Sequence, residues 1–187
     1  MQENTIHSFY LAYAAKSLFP GTSLRKAGRF GDLFFYDFEF PFEFNQDLLI
    51  MIEEKYKGLV KQELRQKIYS MMPLVAFEFL KSKGHKKLAD AVKEEEDLVN
   101  IIEIDQFYDF SLVGLEDEFP SKAIRLAYFE DYRDLTGKLV TRIYGISASN
   151  GQELKKEYKK VVNFFKAKIM QDLMAKGFIG AHHDQFY

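Results

Sequence analysis

Apolar side chains recur at helical spacing from the start of the chain. Ile6, Phe9, Tyr10, Tyr13 and Ala14 share one face of a segment that Asn4 or Thr5 can cap and Pro20-Gly21 stops, which predicts a helix to about Leu18. The period then changes to two. Between Leu33 and Phe44, Phe38, Phe40, Phe42 and Phe44 fall on one face and Asp37, Glu39 and Glu43 on the other, the pattern of a half-buried strand with Pro41 near an edge. Asn45 caps a second amphipathic helix, with Asp47 in its first turn and Leu48, Leu49, Ile52, Tyr56, Leu59, Val60 and Leu64 in helical phase. A short strand over 68–72 precedes Pro73, and a helix over 74–83 ends at Gly84, the residue type suited to a left-handed cap. Strands are predicted over 98–108, 122–129 and 138–147. Asn150 with Glu153 three residues on resembles a capping box, and the stripe Leu154, Tyr158, Val161, Val162, Phe165, Ile169 and Leu173 carries a last helix to Gly177. Helices alternating with strands in this order predict an α+β fold, helices packed on a largely antiparallel sheet.

Composition fits one folding unit. The 187 residues are 47% hydrophobic and 29% charged, with four prolines, 11 glycines and no internal repeat, so one domain over 1–177 with a tail over 178–187 is the simplest organisation. No apolar run approaches the roughly 18 residues of a membrane span, and MQENTIHSF has neither a basic nor an apolar leader region. The chain therefore reads as cytoplasmic, with no membrane partner. Lys plus Arg number 26 against 28 Asp plus Glu, a formal charge of -2, so any nucleic-acid contact has to be local. The charge is uneven: ten carboxylates and no Lys or Arg from Glu94 to Glu118, and seven Lys against three acids from Gly151 to Gly177. The lysine-rich stretch reads as a solvated helix face, with a phosphate-tracking face as the alternative.

The absence of cysteine excludes disulfides, thiolate metal sites and cysteine nucleophiles. No P-loop, dinucleotide fingerprint, HExxH or GxSxG occurs. Among four histidines, His85 in the basic turn KGHKK is expected at the surface, and His182-His183 lie in the tail, where a metal role is the alternative to a plain polar terminus. His7, among aromatic residues at the start of the first helix, is the remaining candidate for acid–base work, against a structural histidine. The 19 phenylalanines read as core, with base stacking as the alternative for exposed ones.

Several segments, taken in order, resemble one family. His7-Ser8 opening a helix is similar to the start of an HSxxH helix, Gly31–Phe38 (GDLFFYDF) to a GFYYDF strand, and Ala76–Gly84 (AFEFLKSKG) to a helix ending in LFKEKG. Val99–Phe110 (VNIIEIDQFYDF) is similar to a strand pair ending in FVDL, and Thr141–Gly145 (TRIYG) to QRIYG before a long helix. These belong to the second N-terminal domain of threonyl-tRNA synthetases, an editing domain related to that of alanyl-tRNA synthetases, and the chain reads as a free-standing, divergent member. No segment resembles the ubiquitin-like, catalytic or anticodon-binding parts of the synthetase, so amino-acid activation is not expected.

The resemblance implies an editing-domain-like α+β fold, and the 3′ end of mischarged aminoacyl-tRNA as partner. The family site combines HxxxH on the first helix with CxxxH after the FVDL strand. Here the four positions hold His7, Leu11, Ser111 and Leu115. One imidazole and one hydroxyl cannot hold zinc, so neither metal nor other cofactor is expected. If a rebuilt site hydrolyses the ester, His7 would orient or deprotonate water, Asp109 would bind the substrate ammonium or a water, and Ser111 would hydrogen-bond the substrate. Tyr36, Asp37 and Tyr144 would line the pocket. The alternatives are an inactive module that keeps the tRNA surface, and an interaction protein whose aromatic and lysine-rich surfaces bind another protein.

Overall fold

Thr5 opens the first helix in the computed structural model, which describes residues 4–116 and 119–177. Its hydroxyl accepts the His7 N–H at 3.3 Å, satisfying one of the amides that a helix start leaves without a partner. The helix, α1 (Ile6–Leu18), is predicted to bury one face, but the structure buries its first two turns all round and reaches solvent only toward the last turn, at Ser17: Ile6, Phe9, Leu11, Ala12, Ala14 and Ala15 are each fully covered. Their apolar side chains point in every direction about the axis, which only a helix enclosed by other layers tolerates.

Seven strands and four further helices supply those layers among the described residues: β1 (Ser23–Phe30), β2 (Leu33–Glu39), α2 (Gln46–Lys61), β3 (Gln66–Met71), α3 (Pro73–Ser82), α4 (Lys86–Lys93), β4 (Val99–Ile104), β5 (Phe107–Ser111), β6 (Ala123–Arg133), β7 (Leu139–Ala148) and α5 (Gly151–Ala175). The α+β expectation holds, with two antiparallel sheets instead of one: β1-β2-β7-β6 and β3-β4-β5. α1 and α2 pack on one face of the four-stranded sheet and share a core with Ile102, Ile104 and Phe107 of the smaller sheet. The other face of the smaller sheet, through Val99 and Ile101, packs on α3 and α4. α5 covers the outer face of the large sheet, with Phe165 against Phe35, Tyr144 and Ile146.

The predicted strand over 33–44 ends at Glu39 and is covered on both faces, so Asp37 is buried despite lying on the polar side of the alternation. Phe40 and Phe44 continue past it as a stacked aromatic pair, 4.6 Å between ring centres. The stretch 98–108 divides into β4 and β5 at Asp105, whose left-handed backbone (φ 54°) makes the turn. β1 and α4 have no predicted counterpart, and His85 packs half-buried against Tyr108, 4.6 Å between ring centres, instead of standing in solvent. The tail over 178–187, with His182 and His183, lies outside the described residues.

Gly145 of β7 faces Phe34 of β2, and the Phe34 ring occupies the space a Cβ would need. That ring is buried and stacked on His7, so it cannot swing aside freely. Gly145→Ala is expected to destabilise the protein by about 1–3 kcal/mol. Urea denaturation against the wild type measures this; an unchanged midpoint would show that Phe34 yields without cost.

Candidate functional site

The buried first turn of α1 must satisfy its polar groups from other elements, and these bonds build the site. Asn4 pairs through its backbone with the segment around Leu115, accepting from Glu116 N–H and donating to the Gly114 carbonyl, both at 2.9 Å. Its amide Nδ2 donates to Ser111 Oγ at 3.0 Å. His7 Nδ1 lies 2.5 Å from the Tyr56 hydroxyl of α2, and Nε2 accepts the Ser121 N–H at 3.2 Å. With Nε2 accepting, the tautomer that fits this geometry carries its proton on Nδ1, donated to Tyr56. The edge of His7 forms part of a cleft of about 380 Å³, shared with Phe119, Ser121, Ser147, Ser149 and Glu153.

Asp109 and Ser111 alternate with Tyr108 and Phe110 along β5 and so face the interior beside α1. Tyr36 O–H donates to Asp109 Oδ2 at 2.6 Å, and Phe110 N–H donates to Oδ1 at 2.8 Å. Both bonds favour the carboxylate, yet burial outweighs them and raises the Asp109 pKa to about 6. Burial, with the Asp109 charge beside it, pushes Tyr36 well above the usual phenol value. Ser111 Oγ donates to the Val113 carbonyl at 2.8 Å and accepts from Val113 N–H at 3.2 Å, so its lone pairs and proton are engaged within the fold.

The large sheet separates the remaining candidates. Tyr36 points to the α1 side, whereas Tyr144 lies on the α5 side, where its hydroxyl donates to Glu130 at 2.7 Å and Lys168 holds the second Glu130 oxygen at 2.9 Å. Asp37, also turned away from Tyr36, is held by Arg142 through Nε–Oδ1 at 2.7 Å and Nη2–Oδ2 at 2.8 Å, and accepts from the Tyr132 hydroxyl at 2.9 Å. The structure thus joins Tyr36 to Asp109 directly and His7 to Ser111 through the chain at Asn4, and places Asp37 and Tyr144 in separate polar clusters. Tyr56 and Ser121, which fix the imidazole, carried no sequence signal: Tyr56 sits in an apolar helical stripe, and Ser121 lies in an unpatterned segment.

Leu11, one turn beyond His7, is fully buried, and Leu115 packs half-buried on the same hydrophobic cluster. Neither supplies a donor, and Ser111 is already bonded, so this residue set does not fit the metal that an HxxxH and CxxxH pair would hold. Among the described residues no group of three His, Cys, Asp or Glu side chains comes together as metal ligands.

No protein-family model matches the chain. It is 28% identical over 158 residues to the threonine–tRNA ligase of Clostridium novyi (strain NT), an alignment covering 79% of this chain and 24% of the ligase. It is 29% identical over 161 residues to that of Clostridium perfringens (strain SM101 / Type A), covering 81% and 24%, and 28% identical over 159 residues to that of Wolbachia pipientis subsp. Culex pipiens (strain wPip), covering 81% and 25%. The chain is similar to one segment of threonine–tRNA ligase. The family resemblance carried by the motifs is borne out. The threonine–tRNA ligase-like chain spans about a quarter of the length of these relatives. Among its described residues no helix is long and apolar enough to cross a membrane.

The raised Asp109 pKa has a defined sign in stability. The folded protein holds this proton more tightly than the unfolded chain, so the contribution of Asp109 to stability is fully present below about pH 4 and is lost as pH rises through about 6, roughly 3 kcal/mol in all. Asp109→Asn cannot ionise and lacks that loss. Urea denaturation between about pH 4 and 7 should show wild type losing stability relative to the variant by that order; a constant difference across the range would mean that Asp109 ionises as freely as in water.

Proposed function

We propose that this chain binds the aminoacylated 3′ end of tRNA as an editing-domain-like module of tRNA quality control in the cytoplasm, and that it works without a metal. The observation that carries this reading is the cleft at the start of α1, where His7, the surviving histidine of the family pattern, meets the hydroxyl-bearing Ser121, Ser147 and Ser149. The similarity over about four-fifths of the chain to threonine–tRNA ligase supports it, as do the ordered editing-domain motifs. In this reading the domain extends over 1–177. His7 and the serines meet the substrate. Asp109 with Tyr36, and Ser111 with Asn4, are positioning residues that hold β5 and the start of α1 together. Asp37 and Tyr144 act on the far side of the sheet, anchoring Arg142 and Glu130.

A second reading, ester hydrolysis, is favoured by the buried imidazole forming part of the lining of a cleft beside serine hydroxyls. There Nε2 would exchange the Ser121 N–H for a water. The water attacks the ester carbonyl carbon as its proton passes to Nε2; the bond to the ribose oxygen breaks, and that oxygen takes the proton back. The intrinsic reactivity of the ester asks for positioning and one base.

The test is deacylation and retention of seryl-tRNA(Thr) and a panel of other mischarged tRNAs, with wild type and His7→Gln. Glutamine can still accept the Ser121 N–H but cannot act as a base. Retention without turnover is the expected result for the wild type. Turnover by the wild type that falls at least about tenfold in His7→Gln establishes the hydrolase. Failure to retain or hydrolyse any of the tRNAs overturns the reading.

A further inference from the structure

Beside the His7 cleft, and sharing Ser149 with it, lies a larger cleft of about 590 Å³ between α2, the start of β6 and the first turn of α5. Among the described residues, every charged side chain that lines it is cationic: Lys57 from α2, Lys122 and Arg125 at β6, and Lys155 from α5. For a chain of net charge -2 this is a concentrated positive surface. Lys57 is held by the half-buried Glu53, whereas Lys122 pairs with Glu63 on the surface, where such a pair exchanges readily for another anion. Among the described residues, Arg125 and Lys155 have no carboxylate partner within ion-pair distance; the Arg125 guanidinium lies over the Tyr158 ring, 4.4 Å from its centre, which holds it at the cleft wall. The Gln152 and Glu153 amides at the start of α5 are capped by Asn150, so the positive charge of the cleft comes from its side chains, and Ile124 and Leu154 give it an apolar side.

We propose that this cleft carries the phosphodiester backbone of the RNA strand whose aminoacyl end enters the His7 cleft. The proposal rests on the function proposed above and adds the direction of approach, along β6 and the α5 N-terminus. Phosphates fit the cluster better than an isolated carboxylate, because four cations drawn from three elements along one cleft match a chain of repeating charges, and the apolar side offers bases a surface. The lysines farther along α5, such as Lys166, lie outside the cleft. Local neutralisation of three to four phosphates predicts a log affinity against log salt slope of about -2 to -3.

The test uses the full chain and a fluorescent tRNA acceptor minihelix ending in single-stranded CCA, titrated by anisotropy at several salt concentrations. The double variant Arg125→Glu/Lys155→Glu is expected to lose affinity at least about tenfold and to show a shallower salt slope. Lys166→Glu should change affinity less than about twofold, and Lys155→Arg should retain it. Both reversed side chains are exposed, and circular dichroism confirms folding. If wild type and double variant bind the RNA equally, the cleft assignment is overturned and RNA binding stands. If the wild type binds no RNA, both fall. If poly-glutamate binds in a cleft-dependent way and RNA does not, the surface serves an acidic protein and the proposal is overturned.

Discussion

The first two turns of the first helix are buried on every side, and the rest of the molecule follows from that. Its apolar groups need a layer on every side, which the four-stranded sheet, α2 and the smaller sheet provide. Its first turn nevertheless carries Thr5, His7 and Ser8, all buried, and each buried polar group left without a partner would cost about 1–3 kcal/mol. The solutions reach out to four elements: Asn4 to Ser111 of β5, His7 to Tyr56 of α2 and to Ser121 ahead of β6, and Ser8 to the Gly28 carbonyl of β1. The same bonds that complete the core therefore gather the polar side chains of the candidate site.

Two buried aspartates show how differently the interior treats one side chain. Asp37 meets a guanidinium in a bidentate pair, and the Arg142 charge is in turn stabilised by that carboxylate and by the faces of Phe35 and Tyr132. Asp109 meets only a phenol and a backbone amide, too little to offset its desolvation, so its proton stays until about pH 6. Asp37 thus acts as the acidic partner of an ion pair that joins β2 to β7, whereas Asp109 is a hydrogen-bonding group whose charge depends on pH.

Much of this was legible in the sequence where local rules dominate. The caps at Thr5, Asn45 and Asn150 form as the pattern predicts, and Glu153 reaches back to Ser149 beside Asn150, a one-residue variation on the capping box. What escaped was set by tertiary contact. SLRKAGRF has no alternation to mark β1 because hydrogen bonding to β2 and the outer position of the strand hold it. The KKLADAVK helix is short, and only the apolar surface of α3 and β4 beneath Ala89 and Val92 makes it worth forming. The alternation in β2 marks one buried face correctly but cannot show that α5 and the Arg142 cluster cover the other.

The positions at which the family pattern changes explain where the surviving polar surface lies. A histidine at position 11 would share a helix face with His7, one turn deeper, and would need a metal or hydrogen-bonding partners there. Leucine at that position is instead stabilised by its own burial, typically by about 1.5–3 kcal/mol, whatever the pH and whether or not an ion is present. Leu115 adds to the same cluster from the segment that pairs with Asn4. The second turn of α1 is thereby committed to the core, and the polar side chains of the helix are gathered in the first turn. There the buried imidazole lines the cleft it shares with Ser149 and Glu153 at the start of α5, next to the cationic cleft. Apolar packing of the interior half of the site leaves one imidazole and the neighbouring serines at the entrance, the groups on which the proposed binding of an aminoacyl end depends.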